Sequence, residues 1–318
     1  MGATDIAAHD VVVDDRDRKK PFVLAHLSDP HLAPLPQPSM RELASKRVLG
    51  YVNWRRGRHR VHRRDALDAI THDLRGVQPD HVAVTGDLVN IALSAEFAQA
   101  RGWLEALGLP ADVSVVPGNH DAYVPAADLH RDRQWLAYMT GDDALSGSTA
   151  FPYLRRRGPV ALIGVSTAIA TPPFMATGRL GQPQIARIAE MLDALRTSFR
   201  VVMIHHPPID PPSAYHKRLI DAAGFRKAIA AAGAELIIHG HDHVHAVAWL
   251  AGNDGRVPVV GVPSASASAG TKHAGAYNLY RIDGGPGTWS CEVVSRGLRP
   301  SGTVAELSRL ALSWSGNA

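Results

Sequence analysis

The chain has 318 residues, 45% of them hydrophobic, with 34 Lys+Arg against 30 Asp+Glu for a formal net charge of +4. The apolar fraction is ordinary for a globular core; an aromatic share of 6% argues against a base-stacking surface, and so mild a basic excess attracts anions without implying nucleic-acid binding by itself. A single cysteine, Cys291, excludes an internal disulfide, no apolar run reaches the roughly 18 residues of a membrane span, and the first residues lack the pattern of a signal peptide, so a soluble, cytoplasmic protein is expected.

Residues 1–20 mix charges without periodicity and read as a flexible tail; residues 21–318 read as a single domain. From Pro21, PFVLAHLS is a short apolar run stopped by Asp29-Pro30, a buried strand. After a Pro-rich stretch from Pro34 to Pro38, Arg41–Trp54 and Arg63–Arg75 have helical character. His81–Thr85 reads as a strand, Ser94–Leu107 as a helix capped by Ser94, and Val113–Val116 as a strand. The rhythm continues with strands at Val160–Val165, Val201–Ile204 and Glu235–His239 and helices at Gln182–Arg196 and Phe225–Ala232. Beyond His243 come strands at Val244–Leu250, Val257–Val262, Ala276–Ile282 and Trp289–Val294, then a closing helix at Glu306–Leu312. Such an order indicates an α/β architecture with mixed sheets. Cys291 falls in a strand and reads as a buried core thiol.

Short polar clusters stand directly after predicted strands: Asp29-Pro30-His31, Gly86-Asp87, Gly118-Asn119-His120-Asp121, His205-His206-Pro207-Pro208 and Gly240-His241-Asp242-His243. Loops at strand ends are where rigid sheets hold chemistry in register. Carboxylate, imidazole and amide donors in this mixture suit borderline divalent metals, and one carboxylate can bridge two ions. Taken singly, an Asp or Asn after a strand is a turn residue; turn chemistry does not explain the histidines beside them.

In order, the blocks D-x-H, G-D, G-N-H-D, H-x-P and G-H-x-H resemble the signature of the calcineurin-like metallophosphoesterases, from Asp29 to His243. The resemblance implies a four-layer αββα sandwich of two mixed β-sheets, and two divalent or trivalent metal ions not distinguishable among manganese, iron and zinc. It implies that Asp29, His31 and His243 hold the first ion, that Asn119, His205 and His241 hold the second, and that Asp87 bridges both. The implied reaction is in-line attack of a metal-bridging hydroxide on phosphorus. His120 would stabilise phosphoryl charge and protonate the leaving oxygen, Asp121 would orient the His120 ring, and His206 would stand beside the ligands as a candidate substrate contact.

Three readings of the function compete. The first is a phosphodiesterase similar to bacterial cyclic-nucleotide phosphodiesterases, the branch whose motifs are nearest. The second is a pyrophosphatase on a nucleotide-linked sugar or lipid, similar to UDP-2,3-diacylglucosamine pyrophosphatases. The third is a non-catalytic binding scaffold, against which the intact ligand set argues. The expected partner is a small anionic phosphodiester or pyrophosphate, with no nucleic acid.

Residues 36–64 form a basic helical insert with Arg47, Arg55, Arg56, Arg58, Arg60, Arg63 and Arg64, among which Tyr51 and Trp54 interleave. Either it is a solvated helical face, or it is a flap in which Arg55, Arg56 and Arg58 grip an anionic substrate, a reading compatible with peripheral membrane contact. Of the other histidines, His26 reads as packed in the core, His239 as structural, and His59, His62 and His72 as solvated; His245 and His273 are candidates to approach the site. Ser264, Ser266 and Ser268 read as a tight loop.

Overall fold

Two six-stranded sheets organise the chain in a computed structural model that describes residues 20–143, 151–209, 214–253 and 255–314. The expected tail, Lys20 apart, lies outside the described residues. In the first sheet β1 (Phe22–Leu27), β2 (His81–Val84) and β3 (Val113–Val115) run parallel. Antiparallel β10 (Ala276–Asp283), β11 (Ser290–Leu298) and β12 (Val304–Leu312) extend it in the order β12-β11-β10-β1-β2-β3. The second sheet has β4 (Tyr153–Arg157), β5 (Val160–Gly164), β6 (Phe199–Met203), β7 (Leu236–His239), β9 (Gly255–Gly261) and β8 (Ala246–Gly252), in that spatial order. Its β5, β6, β7 and β9 are parallel.

Period-two alternation along continuous apolar strands builds the layers. Leu162, Val201, Met203, Leu236 and Ile238 enter the core shared with the first sheet. Their neighbours Ile163, Val202 and Ile237 face the other way, onto Ile185, Ile188, Phe225 and Ile229 of α7 (Gln182–Ala194) and α8 (Ala222–Ala232). On the far side α4 (Arg64–Val77) and α5 (Ser94–Leu107) bring Leu67, Ile70, Phe97 and Leu104 to the first sheet. The result is the expected αββα sandwich with mixed sheets.

Several local expectations differ. The closing helix expected at Glu306–Leu312 is instead part of the edge strand β12 (Val304–Leu312), paired with β11 from Cys291↔Leu312 to Leu298↔Val304. Apolar spacing there is ambiguous, and pairing to an available edge decides it. Ser94 does not cap α5: Leu93 holds the N-cap position, and the buried Glu96 carboxylate accepts the amides of Asn90 (2.6 Å), Ile91 (3.1 Å) and Leu93 (2.9 Å). Strand β4 and helix α6 (Ala127–Trp135) have no counterpart in the sequence reading; in β4 an arginine run hides Arg155, whose buried guanidinium donates to the carbonyls of Ala137, Thr140 and Val113.

The insert is helical but broken into α1 (Met40–Leu43), α2 (Arg47–Asn53), a π-helical turn at Trp54–Arg58 and α3 (His59–Val61). Arg47 ties α2 to the carbonyls of Ile91 (3.0 Å) and Ala92 (2.6 Å). Gly50 permits the approach, since a Cβ there would collide with Ile91 and Tyr123. The far end is stitched to the serine loop by Arg63 N–H to Ser266 O (2.9 Å) and Ser268 N–H to Val61 O (2.8 Å).

Candidate metal centre

Five parallel strands from both sheets end at one place. Asp29 and His31 follow β1, Asp87 follows β2, Asn119, His120 and Asp121 follow β3, His205 follows β6, and His241 and His243 follow β7. The structure brings the seven expected donors together. His243 Nε2 is 3.0 Å from Asp29 Oδ1, and His31 Nε2 is 3.8 Å from both Asp29 Oδ1 and Asp87 Oδ2. His205 Nε2 lies 3.5 Å from Asp87 Oδ2, 3.2 Å from Asn119 Oδ1 and 3.3 Å from His241 Nδ1. Asp87 therefore faces both groups of donors. Five of the seven, Asp29, His31, Asp87, His241 and His243, hold positive φ between 34° and 69°. Left-handed backbone is unfavourable for such residues and clusters where function demands a particular aim.

The donor set fits a pair of cations. Ligands at about 2.1 Å from one ion sit roughly 3.0–3.4 Å apart at common bond angles, close to most of these separations. The imidazoles are also presented correctly. His31 Nδ1 bonds Val89 O (3.1 Å), His205 Nδ1 bonds Thr85 O (2.7 Å) and His241 Nε2 bonds Lys217 O (2.9 Å). A carbonyl partner requires that nitrogen to carry the hydrogen, which leaves the lone pair of the other nitrogen aimed into the cluster. The carboxylates draw a proton to this spot in place of a cation: burial disfavours charge on His205, yet Asp87 and Asp29 push its pKa up to about 10. Burial would raise Asp29, but neighbouring His243 and His205 hold it well below the carboxylate range. The carboxylate pair thus calls for compensating positive charge.

His120 is held differently from expectation. Its Nδ1 bonds Asn90 O (2.5 Å), not Asp121. The Asp121 carboxylate instead accepts the amides of Asp87 (2.8 Å), Leu88 (2.9 Å), Val89 (3.1 Å) and Gly118 (2.9 Å). It shapes the Asp87 loop. Gly118 is needed beside it, because a Cβ would strike Asp87 and come 2.7 Å from the His205 ring.

The insert contributes two groups. Arg58 Nη2 is 3.2 Å from His31 Nε2, and its Nη1 is 3.0 Å from His120 Nε2. His62 is not solvated but buried: its ring centroid lies 4.4 Å from that of His31 and its Nδ1 is 3.0 Å from Ser266 Oγ. Its nitrogen falls within 4.8 Å of ligand atoms of His31 and His243. Ser264 Oγ donates to Asp29 O (2.6 Å), so the serine loop supports the site rather than merely turning. No sequence motif marks His62; the only signal was its place at the end of a basic insert.

The remaining candidates separate. Arg56 lines a cavity of about 510 Å³ that opens on His120, whereas Arg55, with Tyr51, lines a different depression beside Leu35 and Gln37. His206 is buried with Nδ1 on Thr167 Oγ1 (2.7 Å) and Nε2 on Ala176 O (3.1 Å), so both ring nitrogens already have partners within the protein. His26 packs in the core against Thr85 Oγ1 (2.8 Å), and His239 bonds Gly240 O (2.9 Å). His59 and His72 are exposed. Among the described residues, His245 and His273 join none of the donor groups, and no helix is long and apolar enough to cross a membrane.

Carboxylates and carbonyl-anchored imidazoles converging at the strand ends of a four-layer sandwich define a protein built to hold cations. The chain belongs to the calcineurin-like phosphoesterase family, whose model matches residues 22–245. It is 27% identical over 256 residues, 78% of this chain and 67% of the relative, to a cAMP/cGMP dual specificity phosphodiesterase of Mycobacterium tuberculosis. Its fold is similar to that of a dimetal phosphatase from Danio rerio, with TM-score 0.63 and 14% identity over 93% of this chain and 100% of that one. A purple acid phosphatase from yellow lupin gives TM-score 0.58 and 12% identity over 92% of this chain and 53% of that one.

Proposed function

We propose that the protein is a dinuclear metal-dependent phosphodiesterase. The observation that carries this is the meeting of seven donors around Asp87 with Arg58 and His120 at the edge of one cavity. The name of the mycobacterial relative supports the diester class. In this reading Asp29, His31 and His243 hold one ion, Asn119, His205 and His241 hold the other, and Asp87 serves both. Bound divalent cations supply Lewis acidity toward phosphoryl oxygens and activation of water near neutral pH.

The chain's own residues do the rest. Arg58 directs its guanidinium at the space beside the ligands, where its fork suits two oxygens of a phosphate. Anchored through Nδ1 on Asn90 O, His120 presents Nε2 to the cavity. With the ring hydrogen on Nδ1, Nε2 offers a lone pair that Arg58 Nη1 meets at 3.0 Å, so the pair of them can steady charge on the departing ester oxygen, and Nε2 protonates that oxygen only after taking up a proton itself. Asp121 keeps the Asp87 loop in shape, so the groups need not reorganise as charge develops.

The test is turnover of bis(p-nitrophenyl) phosphate against p-nitrophenyl phosphate after chelation and readdition of manganese. Metal-restored activity that favours the diester is expected. A preference for the monoester would make the protein a monoesterase, and no turnover by metal-loaded protein would leave the binding-scaffold reading.

A further inference from the structure

We propose that the cavity beside His120 takes a phosphodiester in which one ester arm is an alkyl or acyl chain, an inference that rests on the phosphodiesterase reading and names its substrate class. The cavity lining combines cations with hydrocarbon. Lys46, Arg56, Arg58 and Lys217 lie on it, and among the described residues no carboxylate does. An anion is favoured there by the summed field of these groups.

The same lining also carries carbon: Leu49 and Val52 from α2, and Phe174 and Met175 from a loop beyond β5. These side chains are not buried against protein. Phe174 is 86% exposed, Leu49 42% and Val52 39%. Phe174 also holds φ of 66°, a conformation that bulky residues avoid. Its loop is nonetheless tied down. Lys46 Nζ donates to Thr171 O (2.6 Å), Thr171 Oγ1 to Met175 O (2.6 Å), and Ala176 N–H to His216 O (2.9 Å). A fixed loop thus displays an aromatic ring in an unfavourable backbone state on the same cavity as two exposed aliphatic residues and His120.

An aliphatic arm on the phosphorus at His120 would cover these apolar side chains while the cations meet the phosphate. A nucleobase suits Leu49, Val52, Phe174 and Met175 less, because base edges ask for strong hydrogen-bonding partners and these four side chains offer none. Lys46 joins α2 to the site: it holds the N-cap position of that helix, and its ammonium sits 4.3 Å over the Tyr123 ring, itself stacked on His120 at 5.7 Å.

The experiment uses manganese-loaded protein and p-nitrophenyl alkyl phosphates from methyl to octyl, with p-nitrophenyl thymidine 5′-phosphate as the nucleoside arm. The leaving group is constant, so only the arm varies. The expected result is a kcat/KM that climbs about two- to fourfold per methylene until the apolar side chains are covered. The triple variant Leu49→Ser, Val52→Ser, Phe174→Ser alters exposed positions and should flatten that climb. A wild-type series that turns over without climbing, a nucleoside arm preferred over octyl, or a climb unchanged in the triple variant overturns the inference and leaves the phosphodiesterase reading standing. Absence of turnover across the whole series overturns that reading, and this one with it.

Discussion

Arg58 Nη1 lies 3.0 Å from Nε2 of His120, so the histidine that faces the cavity shares its free ring nitrogen with a cation delivered by the insert. The π-helical turn at Trp54–Arg58 makes this reach: Trp54 is buried as its anchor, and Arg58 emerges one turn later. π-turns recur at functional sites. Arg58→Ala should lower kcat/KM on bis(p-nitrophenyl) phosphate by about 10²–10³, the usual cost of losing a donor to developing charge. Arg58→Lys should recover little, since a point charge lacks the fork. Arg55→Ala, in its separate depression, should stay within about twofold. Steady-state kinetics on the three variants decides; equal losses for Arg55 and Arg58 would contradict the geometry.

In the dinuclear reading, His62 bears on the first ion through its neighbours. It packs 4.4 Å from His31 and is oriented by Ser266. His62→Gln should weaken retention of one cation by about 10–100-fold, the usual effect of altering such supports. Chelator competition followed by metal analysis reads this directly. Wild-type retention of both ions would show that the ring only fills space.

Asp121 and His120 can be separated by stability. Asp121→Ala strands four buried amides of the Asp87 loop and Gly118. At about 1–3 kcal/mol for each unsatisfied group, a loss of at least roughly 3 kcal/mol is expected in denaturant unfolding. An Asp121 that merely oriented the His120 ring would lower kcat and leave the unfolding midpoint unchanged.

His81 gives the protein an acid-sensitive point away from the cavity. It is fully buried, with Nε2 on Ser114 Oγ (2.7 Å) and Nδ1 without a partner. Burial first, then the Arg157 and Arg155 charges, lower its pKa from 6.5 to about 3. The unfolded chain therefore binds a proton that the folded chain refuses between those values. The stability from this group is complete above about pH 6.5 and is lost as pH falls toward 3, at about 1.4 kcal/mol per pH unit. His81→Gln should remove about one proton from the pH dependence of unfolding free energy measured between pH 7 and 4. Identical slopes in the two proteins would refute the assignment.

How much of this was legible in the sequence follows from the range of the interactions. The strand-end clusters were readable because each is local: a run such as Val82-Ala83-Val84 closes directly into Gly86-Asp87, and five repetitions of that pattern imply a shared rim. The two-sheet sandwich came with the family resemblance. His62 was not readable, because its burial depends on pairing to a loop more than two hundred positions away, near Ser266. Nor was the work of Asp121, whose partners are backbone amides that no side-chain identity reveals. Residues 306–312 misled because their apolar spacing serves either periodicity, and only the exposed edge of β11 selects a strand.

The donors belong to different halves of the molecule. Asp29, His31, Asp87 and Asn119 hang from the first sheet, whereas His205, His241 and His243 hang from the second. Neither half alone can make the complete set, so occupancy of the centre joins them as a crosslink would. Ions bound there stabilise only the state in which both sheets are docked, by an amount that grows with free ion concentration. Thermal unfolding should then be a single transition in loaded protein, and stripping the ions should loosen the seam between the sheets before it loosens either sheet.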